Sequence, residues 1–308
     1  MMRYTLLYAY YEILRAFHVQ WKALIFYKTF SDKEDNNMDA NKKAGELINK
    51  VRAEVPLVHC ITNYVTVNDV ANALLAIGAS PIMSDDCHDV EDIVSISKAL
   101  VINIGTLNER TIASMILAGK KANALHIPVI LDPVGAGASA YRNETTKKII
   151  EEVKLTVLRG NLSEVSFVAG LEVSTKGVDS SEQDADKDAV AVARSVAKQL
   201  NCTVAITGAV DTISDGETVL QIENGHPMLS KVTGTGCLTS GLVGAFVAVG
   251  ENPVYASAAA IAATGIAGEL AFAKAGATGT GSFHIALIDA LSQICENTYM
   301  EMGKITQL

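Results

Sequence analysis

The chain of 308 residues has no C-x-x-C pair, and its five cysteines are an odd number. That argues against a disulfide framework or a structural zinc site and suits a reducing cytoplasm. No cluster of lysine and arginine is interleaved with aromatics, and the net charge is −9, so nucleic acid is not expected as a partner. A Walker A sequence, G-x-x-x-x-G-K-[ST], is also missing, so any phosphoryl transfer needs another cradle for phosphate. Charged residues make up only 19%, too few for general disorder, while a hydrophobic content of 49% can build a substantial core. No internal repeat occurs, and no linker splits residues 50–295.

The first thirty residues lack an uninterrupted apolar run. Glu12, Arg15 and His18 break it, and no A-x-A follows. A signal peptide and a transmembrane helix are both disfavoured, and no membrane partner is expected. Serine is nearly absent, which weakens a transit-peptide reading. More than half of the chain's aromatics lie in this stretch, ahead of the polar SDKEDNN and Met38. Residues 1–38 therefore read as a non-catalytic extension, translated from upstream of a start at Met38. A single catalytic domain is expected over 39–308.

From about residue 50, short apolar runs alternate with amphipathic stretches, the pattern of β-α units on a mostly parallel sheet. The runs ALVINIG (99–105), IPVILDP (127–133), LTVLRGNLSE (155–164) and CTVAITG (202–208) each end in polar or glycine residues. Ligands of open α/β sheets sit beyond the carboxyl ends of the strands, so these endings point to one shared site. Apolar spacing predicts helices over 90–100, 111–125 and 187–200. Residues 211–222 read as a hairpin, and the Ala/Gly-rich stretch 238–272 as closely packed buried helices.

Candidate chemistry collects at the strand ends. Asp132 and Glu164 could hold Mg²⁺, directly or through water. The alternative is that Asp132 caps a turn and Glu164 lies on a solvated helix. Arg159 could set a guanidinium fork against phosphate oxygens, and Thr207 could offer a hydroxyl. The run G-A-G-A-S-A from Gly135 to Ala140 mimics a dinucleotide fingerprint, but Asp132-Pro133 separates it from its strand and no suitably placed acid follows. The pairs His59-Cys60 and Cys87-His88 invite a metal reading. Strand geometry would send such neighbours to opposite faces, so buried or surface roles are favoured.

V-T-G-T-G-C (232–237) reads as a glycine-rich turn opening a helix, where free backbone N–H groups can receive phosphate. Sugar kinases with a similar motif place an Asp proton acceptor after the second glycine; here Cys237 stands there.

The stretch PLVHCITNYVTVNDVANALLAIGASPIM (56–83), with LDPVGAGAS, LRGNLSE, AITG and VTGTGC in that order, resembles the hydroxyethylthiazole kinases of the ribokinase-like superfamily over roughly residues 40–295. The resemblance implies a three-layer α/β/α fold with a mostly parallel central sheet. It also implies ATP- and Mg²⁺-dependent phosphorylation of 4-methyl-5-(2-hydroxyethyl)thiazole in thiamine biosynthesis and salvage, by a homotrimer with sites at subunit interfaces. It assigns Asn63, Met83 and Gly234 to the substrate, Arg159 and Thr207 to ATP, and Asp132 and Glu164 to magnesium. Gly236 keeps the turn open. Cysteine at position 237 is the family's own pattern, while the aromatic extension departs from it.

A thiol is mostly protonated at neutral pH, so Cys237 is expected to be a weak base or a residue that shapes the site. Phosphoryl transfer through a loose transition state can proceed on positioning alone, which implies a slow kinase and not an inactive one. Two other functions fit fewer residues: a ribokinase-like kinase of hydroxymethylpyrimidine type, and a non-catalytic thiazole or nucleotide sensor.

Overall fold

Side chains along the strands alternate between two separate cores, and this alternation sets the layers. The computed structural model describes residues 39–170 and 182–308, so the expectations for residues 1–38 lie outside the described residues. Helix α1 covers 39–54. It is followed by β1 (Leu57–Ile61), α2 (Val67–Ile77), β2 (Ser80–Ile82), α3 (Val90–Ile96) and β3 (Ala99–Asn103). Next come α4 (Glu109–Ala124), β4 (Val129–Asp132), α5 (Ala140–Glu152), β5 (Val157–Asn161), α6 (Leu162–Val168) and α7 (Glu182–Leu200). The remainder is β6 (Thr203–Thr207), β7 (Asp211–Ser214), β8 (Val219–Ile222), a 3₁₀ turn (Pro227–Lys231), α8 (Thr235–Val249), α9 (Pro253–Ala275), α10 (Thr280–Gln293), α11 (Glu296–Met302) and β9 (Ile305–Gln307).

The nine strands form one sheet in the order β2-β1-β3-β4-β5-β6-β7-β8-β9. The first six of that order run parallel, and β7, β8 and β9 pair antiparallel at the far edge. Ala99 and Val101 of β3 pack under α1, α2, α8, α9 and α10, whereas Leu100 and Ile102 pack under α3 to α7. A strand covered on both faces must be apolar on both, hence the continuous runs in the sequence. The expected three-layer α/β/α class is what forms.

The helix expected over 90–100 ends at Ile96. Ser97 is extended and Lys98 N–H already bonds the carbonyl of Leu57, so the sheet takes residues that helical spacing would also fit. The helix predicted over 187–200 begins earlier, at Glu182. The hairpin over 211–222 forms as β7-β8. The glycines at 135 and 137 lie in turns ahead of α5 and do not open a helix against a strand, so the dinucleotide fingerprint is not realised. Among the described residues, α9 alone is long and apolar enough to cross a membrane, and 78% of its apolar window is buried inside the protein.

Candidate active site

Four neighbouring parallel strands present polar side chains to the same face of the sheet at their carboxyl ends. Asn103, Asp132, Arg159 and Thr207 lie two residues beyond Val101, Ile130, Val157 and Ala205, all of which face the α8 layer. The period of two carries the polar residues to that face as well. Beyond these ends is a cavity of about 820 Å³ whose walls include Asp132, Arg159, Glu164, Thr207, Gly234, Gly236 and Cys237.

The VTGTGC turn opens α8, as its sequence suggests. Gly234 is the N-cap at φ 87°, a left-handed conformation, and a Cβ there would lie 2.7 Å from Thr66 Cγ2. At Gly236 a Cβ would lie 3.0 Å from Arg159 Nη1, so any side chain there would crowd the guanidinium. Gly234 has no side chain to cap the helix, and Leu238 N–H is the first to bond back, to the carbonyl of Gly234. The N–H groups of Thr235, Gly236 and Cys237 thus head α8 at the positive end of its dipole, an anion-binding arrangement.

Asp132 is 1% exposed, and its Oδ2 accepts hydrogen bonds from Asn103 Nδ2 at 2.8 Å and Ser240 Oγ at 2.7 Å. Arg159 Nη1 stands 3.8 Å from the same oxygen. Burial pushes the Asp132 carboxyl above the usual carboxylate range, and Arg159 and the Ser240 hydrogen bond only partly offset it. Glu164 receives Gly135 N–H on Oε1 and Asn161 N–H on Oε2, each at 2.8 Å. Asn161 Oδ1 returns a bond to Glu164 N–H at 2.9 Å, closing a capping box on α6. Arg159 Nη2 donates to Thr207 Oγ1 at 2.7 Å, while its buried Nε has no partner among the described residues.

This donor set fits a hard divalent cation. Two carboxylates face one cavity, and the more deeply buried one is held above its normal range for want of full positive compensation. Glu164's oxygens keep lone pairs beyond those given to the backbone, suiting contact through metal-bound water.

Cys237 is half-buried on the cavity wall, and its Sγ accepts from Asn63 Nδ2 at 3.2 Å. Asn63 itself is 4% exposed and lies behind the thiol. Met83 is half-buried against the α8-side core and does not line this cavity. Seven of the nine residues singled out in the sequence therefore meet at one cavity, Asn63 touches one of them, and Met83 stands apart.

Three polar residues at the site escaped the sequence reading. Asn103 ends β3, where only its glycine neighbour drew notice. Ser240 lies four residues after Gly236, one turn along α8, and helical spacing from the GTG turn could have found it. Asp211 begins a hairpin yet lines the cavity, accepts Gly208 N–H at 2.9 Å, and burial pushes its carboxyl up to about 7. Of the two His-Cys pairs, His59 and Cys60 do part across β1, with His59 bonded to the carbonyl of Ser84 and Cys60 in the α8-side core. Cys87-His88 needs a different account. The pair lies in an exposed turn, not a strand, and its ligand atoms come within 4.8 Å of each other and of Asp86.

One mostly parallel sheet between two helical layers, with an uncapped helix head beyond its strand ends, is the fold seen in ribokinase-like proteins. A solved ribokinase-like superfamily protein from Enterococcus faecalis shares the fold at a TM-score of 0.51 and 16% identity, covering 84% of each chain. The chain belongs to the hydroxyethylthiazole kinase family, whose model matches residues 48–297, and it is a kinase. It is 60% identical over 269 residues to a hydroxyethylthiazole kinase from Clostridium beijerinckii, covering 86% of this chain and 98% of that protein. The solved structure of a hydroxyethylthiazole kinase protein from Pyrococcus horikoshii matches at a TM-score of 0.79 and 41% identity, over 86% of this chain and 98% of that one.

Proposed function

We propose that this kinase transfers the γ-phosphoryl group of ATP to the hydroxyl of 4-methyl-5-(2-hydroxyethyl)thiazole, in thiamine biosynthesis and salvage. The observation that carries the reading is the uncapped head of α8, with Gly236 against Arg159 and Cys237 beside it, in a chain matched to this family over residues 48–297. The backbone N–H groups of Thr235, Gly236 and Cys237 receive the charge that spreads over the migrating phosphoryl oxygens. Arg159, anchored by Thr207, holds the nucleotide phosphates. Asp132 and Glu164 would hold Mg²⁺, which would supply positive charge against the nucleotide phosphates. Cys237 shapes the position of the alcohol and accepts its proton weakly. Asn63 supports that thiol, and Met83 reaches the thiazole from the neighbouring subunit's side of a homotrimer interface, outside the single-chain cavity. An interface there is supported by Tyr64, 80% exposed, and Val65, 55% exposed, immediately after Asn63. Five free thiols suit a reducing cytoplasm.

The test is incubation of the protein with ATP, Mg²⁺ and the thiazole alcohol, with mass spectrometry of the products. The thiazole phosphate ester and ADP should form in equal amounts. Binding of the alcohol without ADP release would contradict the reading and favour a sensor.

A further inference from the structure

A line of buried amides passes beneath the cavity and joins its two ends. Asn103, 2% exposed, donates from Nδ2 to Asp132 Oδ2 at 2.8 Å. Its Oδ1 accepts Gly105 N–H at 2.9 Å and Asn63 Nδ2 at 3.0 Å. Asn63 donates from that same Nδ2 to Cys237 Sγ at 3.2 Å, and its Oδ1 accepts the Thr66 N–H at 3.2 Å and hydroxyl at 3.0 Å.

Backbone donors dictate how both amides are turned. Gly105 N–H can only donate, so Asn103 must show it the oxygen and give its NH₂ to the carboxylate. Thr66 N–H sets Asn63 in the same way. Both Asn63 amide hydrogens are thereby committed, one to Asn103 and one to the sulfur. Asn63 consequently reaches a ligand only by way of Cys237.

We infer that Asn103 is a positioning residue for phosphoryl transfer: it holds Asp132 and, through Asn63, Cys237 in one hydrogen-bonded array. The inference rests on the reading that this cavity transfers phosphoryl groups. Four separate segments meet in the array: the end of β3, the end of β4, the loop after β1 and the head of α8. Misplacing a reacting group by about 1 Å can cost on the order of 100-fold in rate, so the segments need a common fastener. Without the Asn103 amide, Asp132 loses a donor and Asn63 keeps only its Thr66 bonds, which loosens its hold on the thiol.

The experiment is a double-mutant cycle on the full chain with Asn103→Ala and Cys237→Ala, with kcat referred to active sites counted by a single-turnover burst. Asn103→Ala should lower kcat about 100-fold while leaving both KM values within about threefold. Adding Cys237→Ala should then cost less than a third of the factor it costs in the parent, because the thiol is already unmoored. A second readout is independent of turnover: the rate at which iodoacetamide labels Cys237, resolved by peptide mass spectrometry. Asn103→Ala should change it at least threefold and leave the exposed Cys87 unchanged. A purely structural role would give multiplied losses after correction for active sites. Multiplied losses, an unchanged Cys237 labelling rate, or a raised KM with unaltered kcat would each overturn the inference. If Asn103→Ala does not fold, Asn103→Ser serves in the same cycle. Failure of the parent to form the thiazole ester would remove the functional reading instead, and the labelling comparison would still test the array.

Discussion

Asp211 carries a charge problem that the rest of the site does not solve. Its carboxyl is pushed up to about 7 by burial, against an unperturbed value near 4. Between those two values the unfolded chain releases a proton that the folded chain keeps, so stability falls as pH rises through that window and levels off above it. Asp211→Asn removes the loss. Compared with the parent, the variant should gain on the order of 2 kcal/mol between pH 5 and pH 8, in urea melts at both pH values. No gain at pH 8 would show that the carboxylate is better compensated than its surroundings indicate. Cys237→Asp should raise kcat, since a carboxylate is ionised at neutral pH and Asn63 Nδ2 already stands ready to donate to it. Steady-state rates check this, and a lower kcat would mean that the thiol's size matters more than its basicity. At this scale the sequence was informative where a residue both ends an apolar run and belongs to a motif, as Asp132, Arg159 and Cys237 do. It was silent on Asp211, because a polar residue opening a hairpin looks the same whether it meets solvent or a cavity wall.

The head of α8 and the capping box of α6 are the two elements that turn strand ends into a site. Gly234→Ala forces an L side chain into the left-handed region and against Thr66. It should cost about 1–2 kcal/mol, lower the melting temperature by a few degrees, and abolish most turnover. Calorimetry with parallel rate measurements checks both effects; a variant with full activity would mean the turn geometry is dispensable. Asn161→Ala removes the side-chain acceptor of Glu164 N–H and opens the α6 capping box, while the Glu164 carboxylate keeps its two backbone donors. About 1 kcal/mol of stability should be lost. For Glu164→Gln the Mg²⁺ concentration for half-maximal rate should rise severalfold, and a rate titration showing no shift would separate Glu164 from the metal. The head of α8 was legible, since glycine before a small-residue helix is a local signal; the α6 capping box went unread, although N-x-x-E after an apolar run is local too. The early end of α3 was not legible, because the sheet's claim on Lys98 and Ala99 depends on strands distant in sequence.

On the scale of the whole molecule, the α/β/α layering follows from runs that are apolar on both faces, which alternate with amphipathic helices. The strand order and the antiparallel edge do not follow, as they depend on pairings between remote segments. Quaternary structure is harder still, since an apolar residue destined for a neighbouring subunit reads like any other. Tyr64, Val65, Leu75 and Ile285 are all more than half exposed. A trimer predicts a light-scattering mass of about three times the 32.6 kDa chain, and a fully active monomer would contradict it. The central claim is that transfer is carried by the amide cradle and the fixed geometry of the site, with the thiol contributing little as a base. Its most direct test is the active-site-normalised kcat of Cys237→Ala, followed by thiazole phosphate formation. Turnover should stay within about 100-fold of the parent, below the usual full cost of losing a general base. No product above the uncatalysed background would contradict it.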